Sequence, residues 1–94
     1  MPDRLSDDAV TTGLASLQWT RQGDELVKVV TKKDFVEAMR FVNAVAEAAE
    51  AANHHPDIAI SWNKVTLRLS THDAGGLTQL DLDLAGRIDG LDAA

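Results

Sequence analysis

Residues 57–70 read DIAISWNKVTLRLS, and this stretch decides the fold. Ile58, Ile60 and Trp62 alternate with Ala59 and Ser61. After a turn at Asn63, Val65, Leu67 and Leu69 alternate with Lys64, Thr66, Arg68 and Ser70. A period of two sends alternate side chains to opposite faces, the pattern of half-buried antiparallel strands. Two such runs joined by a short turn predict a hairpin. Its open end lies near residue 57 on one side and residue 70 on the other.

The hairpin is preceded by a helix and a break. Asn53 to Asp57 interrupts the helical pattern, because Pro56 cannot continue a helix and forces His55 toward extended backbone. Before it, Phe35, Ala38, Met39, Val42, Ala46 and Ala49 repeat at helical spacing from Asp34 to Ala52. Glu37, Arg40, Asn43, Glu47 and Glu50 lie opposite. A second small or apolar row, Phe41, Val45, Ala48 and Ala52, widens the apolar arc beyond the roughly 100° that one core needs. Deep burial in a monomer would account for this. The preferred reading is a helix between its own sheet and a partner subunit.

Further out, Ser6 caps a first helix expected to end near Leu17, with Asp7 and Asp8 in its first turn. Gln18–Arg21 and Glu25–Thr31 read as strands joined by a turn at Gln22-Gly23-Asp24, with Val27, Val29 and Thr31 sharing a face. After the loop at Asp73–Gly76, Thr78 and Asp81 form a capping-box variant. The last helix then carries Leu77, Leu80, Leu84, Ile88 and Leu91 along one stripe. The order α-β-β-α-β-β-α predicts an α+β fold of two layers. Four antiparallel strands carry three helices on one face, and residues 1–94 form a single domain.

Bulk properties narrow the function. A chain of 94 residues buries a modest core, so association would help stabilise it. The net charge is −6 and no basic cluster exists, which argues against nucleic acid or an acidic membrane as partner. There is no cysteine, which suits a reducing cytoplasm. No signal-peptide pattern and no run of about 20 apolar residues is visible, so a soluble cytoplasmic protein is expected.

The chemistry centres on histidine. His54, His55 and His72 fall within 19 positions, at the two ends that the hairpin brings together. Imidazole exchanges protons near neutral pH, so the trio reads as an acid-base site. Zinc is the first rival, since three imidazoles and an open position suit catalytic metal. Adjacent histidines on extended backbone point apart, however, and there is no helical His-x-x-x-His pair, so no metal is expected. Ser61 and Ser70 lack the glycines of a nucleophile elbow. Gly75-Gly76 is too short for a phosphate loop. Glu50, one helical turn before His54, and Asp81, on the flank of an apolar stripe, are candidate supporting acids. Trp62 is either a stacking platform or a core residue.

The run Glu50, three residues, His54-His55-Pro56, five residues, Trp62, nine residues, His72, eight residues, Asp81 resembles the pterin-4a-carbinolamine dehydratase family. Thr71-His72, Gly75-Gly76-Leu77-Thr78, Leu84-Ala85, Ile88-Asp89, Trp19 and the Phe35–Phe41 helix start are similar to it too. The resemblance implies a dehydratase acting on 4a-hydroxytetrahydropterin without metal or organic cofactor. It implies a functional link to a pterin-dependent aromatic amino acid hydroxylase such as phenylalanine hydroxylase. It also implies a homo-oligomer, dimeric through extended sheets and tetrameric through the long helix. His54 and His72 become the acid-base pair, with His55 assisting. Asn53, Ser70, Thr71 and Asp73 would line the pterin site, and Pro56 and Trp62 would shape its wall. Family members more often carry an acid at the Asn53 position. A non-catalytic binding, assembly or coactivator module on the same fold is the alternative. Dehydration of another pterin, such as one linked to molybdenum cofactor metabolism, is a third reading.

Overall fold

Side-chain caps set the helix boundaries in the computed structural model, which describes residues 3–93. Ser6 accepts a hydrogen bond from the Ala9 amide (3.1 Å) and starts α1, Asp7–Leu14. Asp34 accepts one from the Glu37 amide (2.9 Å) and starts α2, Phe35–Ala52. Each cap satisfies an amide that the first helical turn leaves without a partner. The strands are β1 Thr20–Gln22, β2 Glu25–Thr31, β3 Asp57–Ser61 and β4 Lys64–Leu69, and α3 spans Gln79–Ala93. The first helix stops one turn earlier than expected. Gly23, with φ +61°, makes the β1–β2 turn that its lack of Cβ permits.

The sheet is antiparallel in the order β1-β2-β4-β3. Leu26, Lys28 and Val30 of β2 face Leu69, Leu67 and Val65 of β4 in register. These side chains are buried beneath Ala38, Phe41, Val45, Ala48 and Ala49 of α2 and Leu82, Leu84, Ala85 and Ile88 of α3. The architecture is therefore the two-layer α+β arrangement read from the sequence. No described helix is long and apolar enough to cross a membrane.

Two details differ from the sequence reading, and a third goes beyond it. The inward face of α2 is the row Phe41, Val45 and Ala48 together with Ala38 and Ala49, whereas Phe35 and Ala46 of the other row are exposed. The apolar arc is wider than the face that the sheet and α3 cover, so part of it stays exposed. Second, β3 ends at Ser61. Trp62 adopts φ +52° in the turn and stands 68% exposed, outside the strand. Third, the core face of β2 carries a lysine, and the face with Val29 is turned away from the helices.

Lys28 is buried because its charge is matched. Its ammonium lies 2.6 Å from Asp89 Oδ1 and 3.7 Å from Asp92 Oδ2. Asp89 also accepts from Trp19 Nε1 (2.9 Å) and from the Gln18 amide (2.8 Å). One carboxylate thus ties α3 to β2 and to the segment entering β1. Removing one member of a buried pair leaves the other charge desolvated. Asp89→Ala is expected to cost about 3–5 kcal/mol in urea unfolding. A cost under about 1 kcal/mol would show that Lys28 finds solvent instead.

Candidate active site

Helix α2 ends in a geometry that aims the histidines. Asn53 takes the left-handed conformation (φ 49°, ψ 42°). Its amide bonds to the Glu50 carbonyl (3.2 Å), and the His54 amide reaches back to the Ala49 carbonyl (3.1 Å). This pair of bonds is the Schellman closure, which satisfies the last helical carbonyls and reverses the chain. Asparagine tolerates the left-handed region better than other residues with a Cβ. His54 is thereby turned back under the helix, while His55 and Pro56 lead out into β3.

His54 is buried, and its Nε2 lies 2.6 Å from Asp81 Oδ1. Asp81 is fully buried in the first turn of α3. Its second oxygen accepts from the Thr71 hydroxyl (2.7 Å) and from the Thr78 amide (2.9 Å). The acid therefore completes the helix cap and holds a histidine at once, as its two sequence readings allowed. His55 is exposed, and its Nε2 pairs with Glu50 Oε2, so Glu50 supports His55 rather than the nearer His54.

The third histidine arrives from β4. Thr71 and Gly76 form an isolated antiparallel bridge that closes the base of a short 3-10 turn, His72–Ala74. Gly75 at φ +73° finishes that turn. Thr71 faces the buried carboxylate, and the next residue, His72, is exposed at the rim. Ser70 beside it donates to the Asp24 carbonyl (2.8 Å), which anchors the strand end to the β1–β2 turn.

These elements enclose an open cleft of about 240 Å³ lined by Asn53, His54, His55, Ser70, Thr71, His72 and Asp73. All three histidines border it. A larger cleft of about 520 Å³ lies between α1 and α3, but it holds no histidine and its only ionisable side chain is Asp8. Two nominated residues stay out of the histidine cleft. Pro56 is half-buried just beyond it. Trp62 lies at the closed end of the β3–β4 hairpin, one strand length or about 17 Å from the histidines. A strand running on through residue 62 would have kept its side chain in register with Ile58 and Ile60; the left-handed turn removes it. Among the described residues, no group of three His, Cys, Asp or Glu side chains converges on a metal-sized point. By sequence Thr78 is a cap alone, but its hydroxyl also joins the buried network behind the cleft. That hydroxyl lies 2.8 Å from Thr71 Oγ1.

The profile of the family described as pterin 4 alpha carbinolamine dehydratase matches residues 3–91. This chain belongs to that family. It is 57% identical over 90 residues to a Roseiflexus protein, covering 95% of this chain and 97% of the relative. It is 50% identical over 92 residues to one from Picosynechococcus, covering 97% and 100%. Both relatives carry a provisional name, pterin-4-alpha-carbinolamine dehydratase. A crystal structure from Brucella melitensis, described as a transcriptional coactivator/pterin dehydratase, superposes with a TM-score of 0.92 at 28% identity, covering 96% of this chain and 99% of that one. A pterin dehydratase-like RuBisCO assembly factor of the alpha-carboxysome shares the fold, with a TM-score of 0.67 at 20% identity over 87% and 95% of the two chains.

The turn at Asn53 provides a test of how the site is positioned. Asn53→Val forces a β-branched residue into left-handed backbone and is expected to cost about 1–2 kcal/mol. Asn53→Gly, free of that strain, should stay within about 0.5 kcal/mol of the parent. Chemical denaturation of the two variants measures the difference. Equal stability would mean the chain leaves α2 by another route.

Proposed function

We propose that the chain is a dehydratase that removes water from 4a-hydroxytetrahydropterin and gives quinonoid dihydropterin. The observation that carries this reading is the Asp81-bound His54 opening into a cleft it shares with His55 and His72. The reaction breaks the C4a–O bond. The departing hydroxyl takes a proton and leaves as water, the proton on N5 is withdrawn, and the C4a–N5 double bond forms. One group must give a proton and another must accept one, and two imidazoles in opposite protonation states meet that need. His54 and His72 act as this pair. His55, held by Glu50, assists from the rim. Asn53, Ser70, Thr71 and Asp73 contact the pterin, partly through backbone groups. The chemistry uses no metal and no organic cofactor. The family and the names of the relatives support the substrate class. The physiological setting we propose is the cytoplasm, where a separate reductase brings the product back to the tetrahydropterin used by a hydroxylase of aromatic amino acids.

The alternative, a binding or coactivator module without catalysis, is favoured by the exposed apolar side chains Val29, Phe35, Val36 and Trp62. One assay separates the two. Purified protein should accelerate the loss of 4a-hydroxypterin absorbance, with full rate in EDTA. His54→Ala and His72→Ala should each lower turnover by at least ~10²-fold with the fold intact. Folded protein that leaves the buffer rate unchanged supports the binding module and removes the enzyme reading.

We also propose self-association, as a dimer or tetramer. Strand β3 is exposed along its whole length, and Phe35 and Val36 stand open at the start of α2. Phe35 is 51% exposed, so Phe35→Glu should leave the fold intact while lowering the mass seen in sedimentation. An unchanged mass would place the contact elsewhere.

A further inference from the structure

Behind the histidine cleft lies a chain of buried hydroxyls with a direction that can be worked out. Thr71 Oγ1 lies 2.7 Å from Asp81 Oδ2 and 2.8 Å from Thr78 Oγ1. Each hydroxyl has one hydrogen to give. Asp81 Oδ2 already accepts the Thr78 amide, as a carboxylate oxygen does, so Thr71 must spend its hydrogen on that oxygen. The hydrogen between the two threonines therefore comes from Thr78. Thr78 Oγ1 in turn accepts the Leu80 amide at 3.3 Å. The order is Leu80 amide to Thr78, Thr78 to Thr71, and Thr71 to Asp81.

With Oδ2 committed, Asp81 offers Oδ1 to His54 Nε2. A carboxylate has no proton to donate, so Nε2 carries one. In the neutral ring the lone pair then sits on Nδ1. Among the described residues Nδ1 has no hydrogen-bond partner, and it is not one of the sealed buried atoms. It is the nitrogen left for the cleft that His54 lines.

We propose that Thr78 and Thr71 are positioning residues for the dehydration. Their one-way hydrogen-bond chain fixes Oδ2 of Asp81 and so turns Oδ1 toward His54, and Asp81 holds His54 in the Nε2–H tautomer with Nδ1 ready to take the pterin N5 proton. The catalytic half of this inference rests on the dehydratase reading; the tautomer half does not. A valine at either threonine keeps the shape and removes the hydroxyl. Thr71→Val takes a donor from Asp81 Oδ2 directly; Thr78→Val leaves its amide on that oxygen but removes the hydrogen bond that orients the Thr71 hydroxyl. Either way the carboxylate is held less firmly, and His54 is released to sample the other tautomer.

The test is nitrogen NMR of the three imidazoles, assigned through His55→Gln and His72→Gln, beside steady-state kinetics. In the parent protein, neutral His54 should show a protonated Nε2 and a bare Nδ1. Thr78→Val and Thr71→Val should give mixed tautomers and a kcat lower by ~10-fold or more, part of the ~10²–10⁴ a positioned base contributes, with KM nearly unchanged. Thr78→Ser should restore both readings. A parent spectrum with Nδ1 protonated overturns the proposal and needs no variant. So does a folded valine pair with unmoved tautomer and unmoved kcat. A parent protein that shows the expected tautomer but no dehydration separates the two ideas: the hydroxyl chain stands as a device that sets His54, and the dehydratase reading falls.

Discussion

The carboxylate of Asp81 is the constraint on which the site depends. It is wholly buried, so every bond to it replaces one with water, and an unmatched acceptor there would be costly. Its partners come from three places in the chain. His54 follows α2, Thr71 follows β4, and the Thr78 amide opens α3. Satisfying one acid therefore fixes how three elements meet. A displaced α3 would leave a charge without donors and His54 without its partner. Chemistry and architecture share this joint, and a change at Asp81 is expected to damage both.

A second carboxylate plays a matching part further along the same helix. Asp89 collects Lys28, Trp19 and the Gln18 amide, two turns beyond Asp81. Helix α3 is thus pinned at two points by acids that turn inward. The apolar residues between them, Leu84, Ala85 and Ile88, fill the space between the pins. Hydrophobic burial supplies most of the driving force in a core of this size, but it lacks direction. The two acids supply the direction, because hydrogen-bond geometry tolerates little rotation of the helix about its axis.

Much of this was legible in the residue pattern. Period-two alternation in β4, the break at Pro56 and the cap at Thr78 gave the element order. The placement of His54, His55 and His72 beside paired strands indicated that they would meet. What could not be read depends on which face wins. The long helix carries two apolar rows, and periodicity does not say which one a sheet will take. Trp62 fits an alternating strand by spacing, but a backbone torsion sends it elsewhere. The pairing of Glu50 with His55 rather than His54 follows from a chain reversal at Asn53 that no spacing rule expresses. Lys28 carried a usable signal. A cation between Leu26 and Val30, in phase with both, marks a buried position that needs an acid.

Strand β3 has a consequence of another kind. A folded chain that leaves one sheet border bare presents a row of amides and carbonyls to whatever it meets. Lysine or proline would discourage unwanted pairing there, and residues 57–61 contain neither. When another copy covers that border, folding and association become one equilibrium, and the population of sound molecules depends on how much chain is present. Dilution then acts as a denaturant. A cell that makes little of this protein would hold a larger fraction of it with an open border, where a newly made strand from any neighbouring chain could add on.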